Sequence, residues 1–70
     1  MFNLDLNDNE YNMLLSNESY VLKDIEKAIL KMKLKGMADI DIAIELDKSR
    51  SQIQRILRKI EFKVAVKFKY

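Results

Sequence analysis

The segment Asp41–Ile60, DIAIELDKSRSQIQRILRKI, decides the fold. Its first half sets Ile42, Ala43 and Leu46 at the i, i+1, i+4 spacing that gathers apolar side chains on one side of an α-helix. A break follows at once. Ser49 then opens a second helix: its hydroxyl can accept the Gln52 backbone N–H while the Gln52 side chain returns to the Ser49 N–H, a reciprocal cap. Beyond that cap Ile53, Ile56, Leu57 and Ile60 recur at i, i+3, i+4, i+7. Arg50, Ser51, Gln54, Arg55, Arg58 and Lys59 are left on the other faces, so the outward side of the second helix is basic and amide-bearing.

Such a surface matches what a DNA major groove demands. The groove is about 12 Å wide and admits one helix. Arg pairs bidentately with guanine and Gln with adenine, while surrounding Lys and Arg hold phosphates. Ile42, Ala43, Leu46, Ser49, Ile53 and Ile56 resemble the helix-turn-helix pattern of small transcriptional regulators, of resolvase-like DNA-binding domains and of the promoter-reading domain of sigma factors, over about a third of the chain. Three positions depart from that family. Asp47 stands where Gly is usual, Lys48 where an apolar residue is usual, and Ala38 where a Ser or Thr cap commonly precedes the first of the two helices. Asp is a tolerable substitute because it visits the left-handed region more readily than most residues, whereas Lys48 anchors the turn less well. The competing interpretation is an ordinary helical hairpin with a solvated basic face.

The length of 70 residues fits a single domain. A chain this short buries only about 60% of its unfolded surface, so a lone monomer is marginal. It has no Cys for a disulfide, and neither His nor Cys for an ordinary structural zinc site, so self-association is the simplest source of further buried area. No signal peptide is recognisable, and apolar runs stop at two or three residues where a membrane span needs about 20. The expectation is a soluble, cytoplasmic protein with no membrane, metal or cofactor partner. The net charge of +2 conceals a strong gradient. Residues 1–20 carry four acids and no base, whereas residues 48–70 carry eight bases against Glu61 alone, a net +7. Positive charge thus runs from the turn to the end of the chain, as expected if the C-terminal third faces a polyanion.

In chain order, Phe2, Leu4 and Leu6 alternate with polar residues and predict a short strand. Asn7 or Asp8 can cap a turn or two of helix with Tyr11, Leu14 and Leu15 inward, completing an N-terminal segment over residues 1–18. The polar run SNES, Ser16 to Ser19, reads as a loop. A scaffold helix is predicted over residues 20–35, capped by Ser19 or Asn17, with Val21, Leu22, Ile25, Ala28, Ile29 and Met32 on its inner face. Lys23, Lys27, Lys31 and Lys35 recur every four residues elsewhere on it, a phosphate rail or, more simply, a solvated row, and Met32 and Met37 read as core filler. Gly36, the only glycine, fits a left-handed stop. The helix pair occupies 38–60, and its first member, about Asp39 to Leu46, has a surplus apolar stripe in Ile40 and Ile44 that needs a cover of its own.

Beyond Ile60 the period changes. Phe62, Val64, Val66, Phe68 and Tyr70 alternate with Lys63, Ala65, Lys67 and Lys69, which predicts a strand over residues 61–70. A lone strand needs a partner for its backbone groups. Two pairings are open: residues 2–6 of the same chain, or the same strand of a second copy across a two-fold axis, with Phe62, Val64, Val66 and Phe68 in a homodimer interface. The alternative is a plain extension of the last helix, since Ile60, Val64 and Phe68 also fit i, i+4. No hairpin accompanies the strand, so the wing of winged-helix proteins is not encoded. The expected fold is mainly α, a three- to four-helix helix-turn-helix domain with a C-terminal β-strand.

Catalysis has little footing: there is no His, no Cys, no Gly-rich phosphate cradle, and no carboxylate pair set among apolar residues as a tuned acid and base. Asp39 and Asp41 read as helix N-terminal charge rather than, with Glu45, a cation site. The expectation is therefore a non-enzymatic, sequence-specific, double-stranded DNA-binding regulator, a repressor or autoregulator similar to those of low-GC bacteria and their phages. Arg50, Ser51, Gln54 and Arg55 are the expected base readers, and Lys48, Arg58, Lys59, Lys63 and Lys67 the phosphate contacts. The alternative is a small phage-type inhibitor or adaptor that binds a host protein through its acidic N-terminal third and the Ile40/Ile44 stripe. Structured RNA is a weaker third option, because no stacking aromatics sit among the reading-face charges.

Overall fold

The computed structural model describes residues 6–16 and 19–68. These form four helices and, among the described residues, no strand: α1 (Asp8–Leu15), α2 (Asp24–Leu34), α3 (Asp39–Glu45) and α4 (Arg50–Phe68). Helix α4 packs on α2 and α3, which also touch each other, while α1 leans on α2. Leu14, Leu22, Ile29, Leu30, Ile42, Ala43, Ile53, Leu57, Ile60 and Val64 make one buried cluster between them.

The starts of α1, α2 and α4 follow from short-range hydrogen bonds to side chains, whereas α3 begins at Ala38 with no side-chain cap. Asn7 caps α1 as expected: its side chain accepts the Glu10 N–H at 2.9 Å, and the Glu10 carboxylate accepts the Asn7 N–H at 3.1 Å. Helix α2 begins later than the predicted residue 20, and not on a Ser19 cap. The Ser19 hydroxyl instead accepts the Val21 N–H, and the Lys23 N–H donates to Glu26 Oε1 at 2.8 Å. Asn17 and most of the strand predicted at residues 2–6 lie outside the described residues; Leu6 packs against the core without joining a strand.

Two helices end by the same device. After α2 the Met37 N–H reaches the Met32 carbonyl and the Gly36 N–H reaches that of Lys33, with Gly36 at φ 89°. After α3 the Lys48 N–H reaches the Ala43 carbonyl at 2.8 Å and the Asp47 N–H that of Ile44, with Asp47 at φ 55°. Both are the paired 6→1 and 5→2 bonds that close a helix through a left-handed residue. Asp47 therefore does what Gly36 does, as its place in the sequence implied, and the Lys48 backbone secures the turn that its side chain was expected to weaken.

The inner face of α2 is turned from the predicted one. Ile25 is exposed, whereas Glu26 and Lys27 are buried at 4% and 8% exposure. Lys27 leaves the presumed solvated row because its ammonium donates to the carbonyls of Ser16 at 2.6 Å and Ser19 at 2.9 Å, tying down the segment between α1 and α2. Its apolar stem is then covered at little electrostatic cost.

The largest correction concerns residues 61–68, which continue α4 instead of forming a strand. Ile53, Leu57, Ile60 and Val64 form one buried seam at i, i+4, i+7, i+11, and Phe68 packs at its end. The helix satisfies its backbone groups internally, while a strand here finds no ladder partner among the described residues. Its 19 residues span about 28 Å at 1.5 Å per residue, close to the 31 Å long dimension of the molecule.

Candidate nucleic-acid interface

Helix α4 begins on the cap its sequence specifies. The Gln52 N–H donates to the Ser49 hydroxyl at 3.1 Å and the Ser49 N–H to the Gln52 side chain at 2.8 Å. A turn of 100° per residue then sets Ser51, Arg55, Arg58, Phe62 and Val66 on the side away from the buried seam. Alone among the four helices, α4 has no acidic residue in its first turn. No acid within its own first turn offsets the positive end of its dipole, and Arg50 adds to it.

All four expected base readers, Arg50, Ser51, Gln54 and Arg55, are exposed on the first two turns. They divide into two pairs. Arg50 and Gln54 look toward Asp39 at the start of α3. The Asp39 carboxyl is held below the usual range chiefly by its bond to Lys33 at 2.6 Å, against the opposing effect of burial, with the Gln54 amide and the Arg50 charge adding to the pull. Ser51 and Arg55 face outward, and Arg55 forms no ion pair among the described residues.

The expected phosphate contacts separate in the same way. Arg58, Lys59 and Lys67 are exposed, and Lys48 is half-buried beside the turn. Lys63 is not free. Its ammonium donates to Glu26 Oε1 at 2.7 Å, joining the far half of α4 to the start of α2. Burial pushes the Glu26 carboxyl up, but the Lys63 bond, the Lys23 N–H and the charges of both lysines outweigh it and hold Glu26 ionised. Lys63, expected as a phosphate contact, is thus already engaged in an ion pair within the fold. Lys23 takes a place the sequence did not single out: it lines one concavity with Lys59 and Lys63, over Ile25, Ile56 and Glu26. The only trace of this in the sequence was its membership of the four-residue lysine row, which the fold divides among a site, a buried tie and open solvent.

The expected interface set also comes apart. Val64 is buried in its own core and Phe68 packs against it, whereas Phe62 and Val66 are exposed on the opposite side. A strand-paired homodimer through all four is therefore overturned, because the helix points them in two directions.

No helix among the described residues is long and apolar enough to cross a membrane. No protein-family model matches the chain, and no match was found among curated proteins or solved structures.

Proposed function

We propose that the chain is a sequence-specific, double-stranded DNA-binding transcriptional regulator, a repressor or autoregulator acting in the cytoplasm, with α3 and α4 as its helix-turn-helix and the first half of α4 in the major groove. The observation that carries this reading is the outer surface of α4: Ser51, Arg55, Arg58 and Lys59 stand exposed on a rigidly capped helix, and none of these cations is paired with an acid among the described residues. Arg55 and Ser51 are the leading base readers. Arg50 and Gln54 read as a second pair, oriented by Asp39, which is itself bonded to Lys33. Arg58, Lys59, Lys48, Lys67 and Lys23 hold phosphates on either side.

Selection of preferred sites from a random duplex pool tests this directly. Against the selected site Arg55→Ala should lose about 1–3 kcal/mol and blur base preference, whereas Lys59→Ala should weaken every duplex alike and reduce the log salt slope by about 0.9. Equal losses on selected and random duplex for the Arg55 change would remove its reading role. A second reading, an adaptor or inhibitor for a protein partner, is favoured by one observation, the exposure of Ile40 and Ile44 on α3. It expects little duplex binding at any salt concentration.

A further inference from the structure

Two apolar patches stand uncovered on opposite kinds of ground. On α3, Ile40 and Ile44 are 51% and 72% exposed, one helical turn apart, and the exposed acids Asp41 and Glu45 run beside them at the same spacing. On the far half of α4, Phe62 and Val66 are 70% and 51% exposed, again one turn apart, and with Val21 they line an open groove rimmed by Lys63 and Lys67. Lys59 lies one turn before Lys63 on that side of the helix. Asp41, Glu45, Lys59 and Lys67 form no ion pair among the described residues. Since both patches are exposed, neither covers the other within one chain.

Charge decides what each patch can accept. Pairing the α3 stripe with its own copy sets Asp41 and Glu45 against the same acids. Pairing the α4 groove with its copy sets Arg58, Lys59 and Lys67 against the same bases; the one acid of α4, Glu61, lies about 100° around the helix from Phe62, away from the groove. Like charges disfavour both two-fold arrangements, and the crosswise one matches acid to base and apolar to apolar.

We propose that the chain associates head to tail with a second copy of itself: the Ile40/Ile44 stripe of one protomer seats in the Val21/Phe62/Val66 groove of the next, with Asp41 and Glu45 opposite Lys59 and Lys67. A head-to-tail contact leaves one stripe and one groove free at the ends, so association continues past two copies, into an open chain or a ring of three or more. Two residues of stripe against three of groove make a small interface, and small interfaces are weak and dependent on concentration. Arg50, Ser51, Gln54 and Arg55 on the first two turns of α4 stay outside the contact, whereas Lys59 and Lys67 are shared with the proposed phosphate contacts, so the association is tested without DNA.

Sedimentation without DNA, at low salt and from micromolar to millimolar protein, tests it. The parent should show a weight-average mass that passes that of a dimer and falls when salt is raised. Ile44→Glu and Phe62→Glu should each keep the parent far-UV spectrum and sediment as monomers. Their equimolar mixture should form a dimer and go no further, because the first retains an intact groove and the second an intact stripe. Should either variant lose helix, Ile44→Ser and Phe62→Ser replace them in the same mixing experiment. A parent that stays monomeric, a parent that stops at two, or a mixture that stays monomeric overturns the proposal.

Discussion

The two halves of α4 share an inner face and differ completely on the outer one. Ile53 and Leu57 in the first half and Ile60 and Val64 in the second lie on a single buried seam. Outside, the first half presents Ser51, Arg55, Arg58 and Lys59, and the second presents Phe62 and Val66. The core dictates one row of side chains every three or four residues and leaves the opposite row free to carry any chemistry. That freedom is also what disguised the second half as a strand. Ile60, Val64 and Phe68 form one apolar series at i, i+4, and Phe62 and Val66 form another, offset by two residues. Interleaved, the two faces of one helix reproduce the two-residue alternation of a strand.

The comparison breaks most sharply at Ala65. Proline there should cost about 3 kcal/mol or more if the second half is helix interior, since the ring removes an N–H bond and strikes the preceding turn. A thermal melt followed by circular dichroism reads this, and a variant as stable as the parent would detach the last turns from the folded unit. Next comes the tether of that half. Glu26→Ala removes the acceptor for both the Lys63 ammonium and the Lys23 N–H, and should cost about 1.5–3 kcal/mol by urea titration. Its pH dependence has a definite sign. The native Glu26 carboxyl titrates below its ordinary value of 4.5, so its contribution is fully present above that value and is lost as pH falls through the lower native one. Between about pH 6 and about pH 3 the parent should therefore lose more stability than Glu26→Ala. Equal losses would mean the ion pair contributes nothing.

The first half is sharpened by smaller changes. Ser49→Ala removes the hydroxyl that accepts the Gln52 N–H and should cost about 1 kcal/mol, leaving the Lys63–Glu26 bond intact. Asp47→Gly, at φ 55°, should raise stability by about 0.5 kcal/mol, because glycine takes the left-handed conformation without the Cβ penalty that Asp bears. A loss of stability there would mean that the Asp47 side chain contributes something its backbone bonds do not reveal.

Much of the candidate site could be read directly. The exposed positions of Arg50, Ser51, Gln54, Arg55, Arg58 and Lys59 follow from the apolar spacing of Ile53, Leu57 and Ile60, and exposure is what the helical period predicts. The involvement of Asp39 with Gln54 and Arg50 could not be read, because it depends on how α3 crosses α4. The same holds for Lys23, whose neighbour Lys59 belongs to another helix.

By itself the sequence determined the features made by neighbours in the chain: the Asn7/Glu10 and Ser49/Gln52 caps and the stops at Gly36 and Asp47. These are bonds among residues at most five apart, and residue type at fixed spacing is enough to specify them. Only the tertiary structure decided that Glu26 and Lys27 go inward, that residues 61–68 stay helical, and that Val64 joins the core while Phe62 does not. Lys63 finds Glu26 across 37 positions. Contacts of that reach depend on how whole helices pack, and no local period encodes which of two apolar faces will find a neighbour.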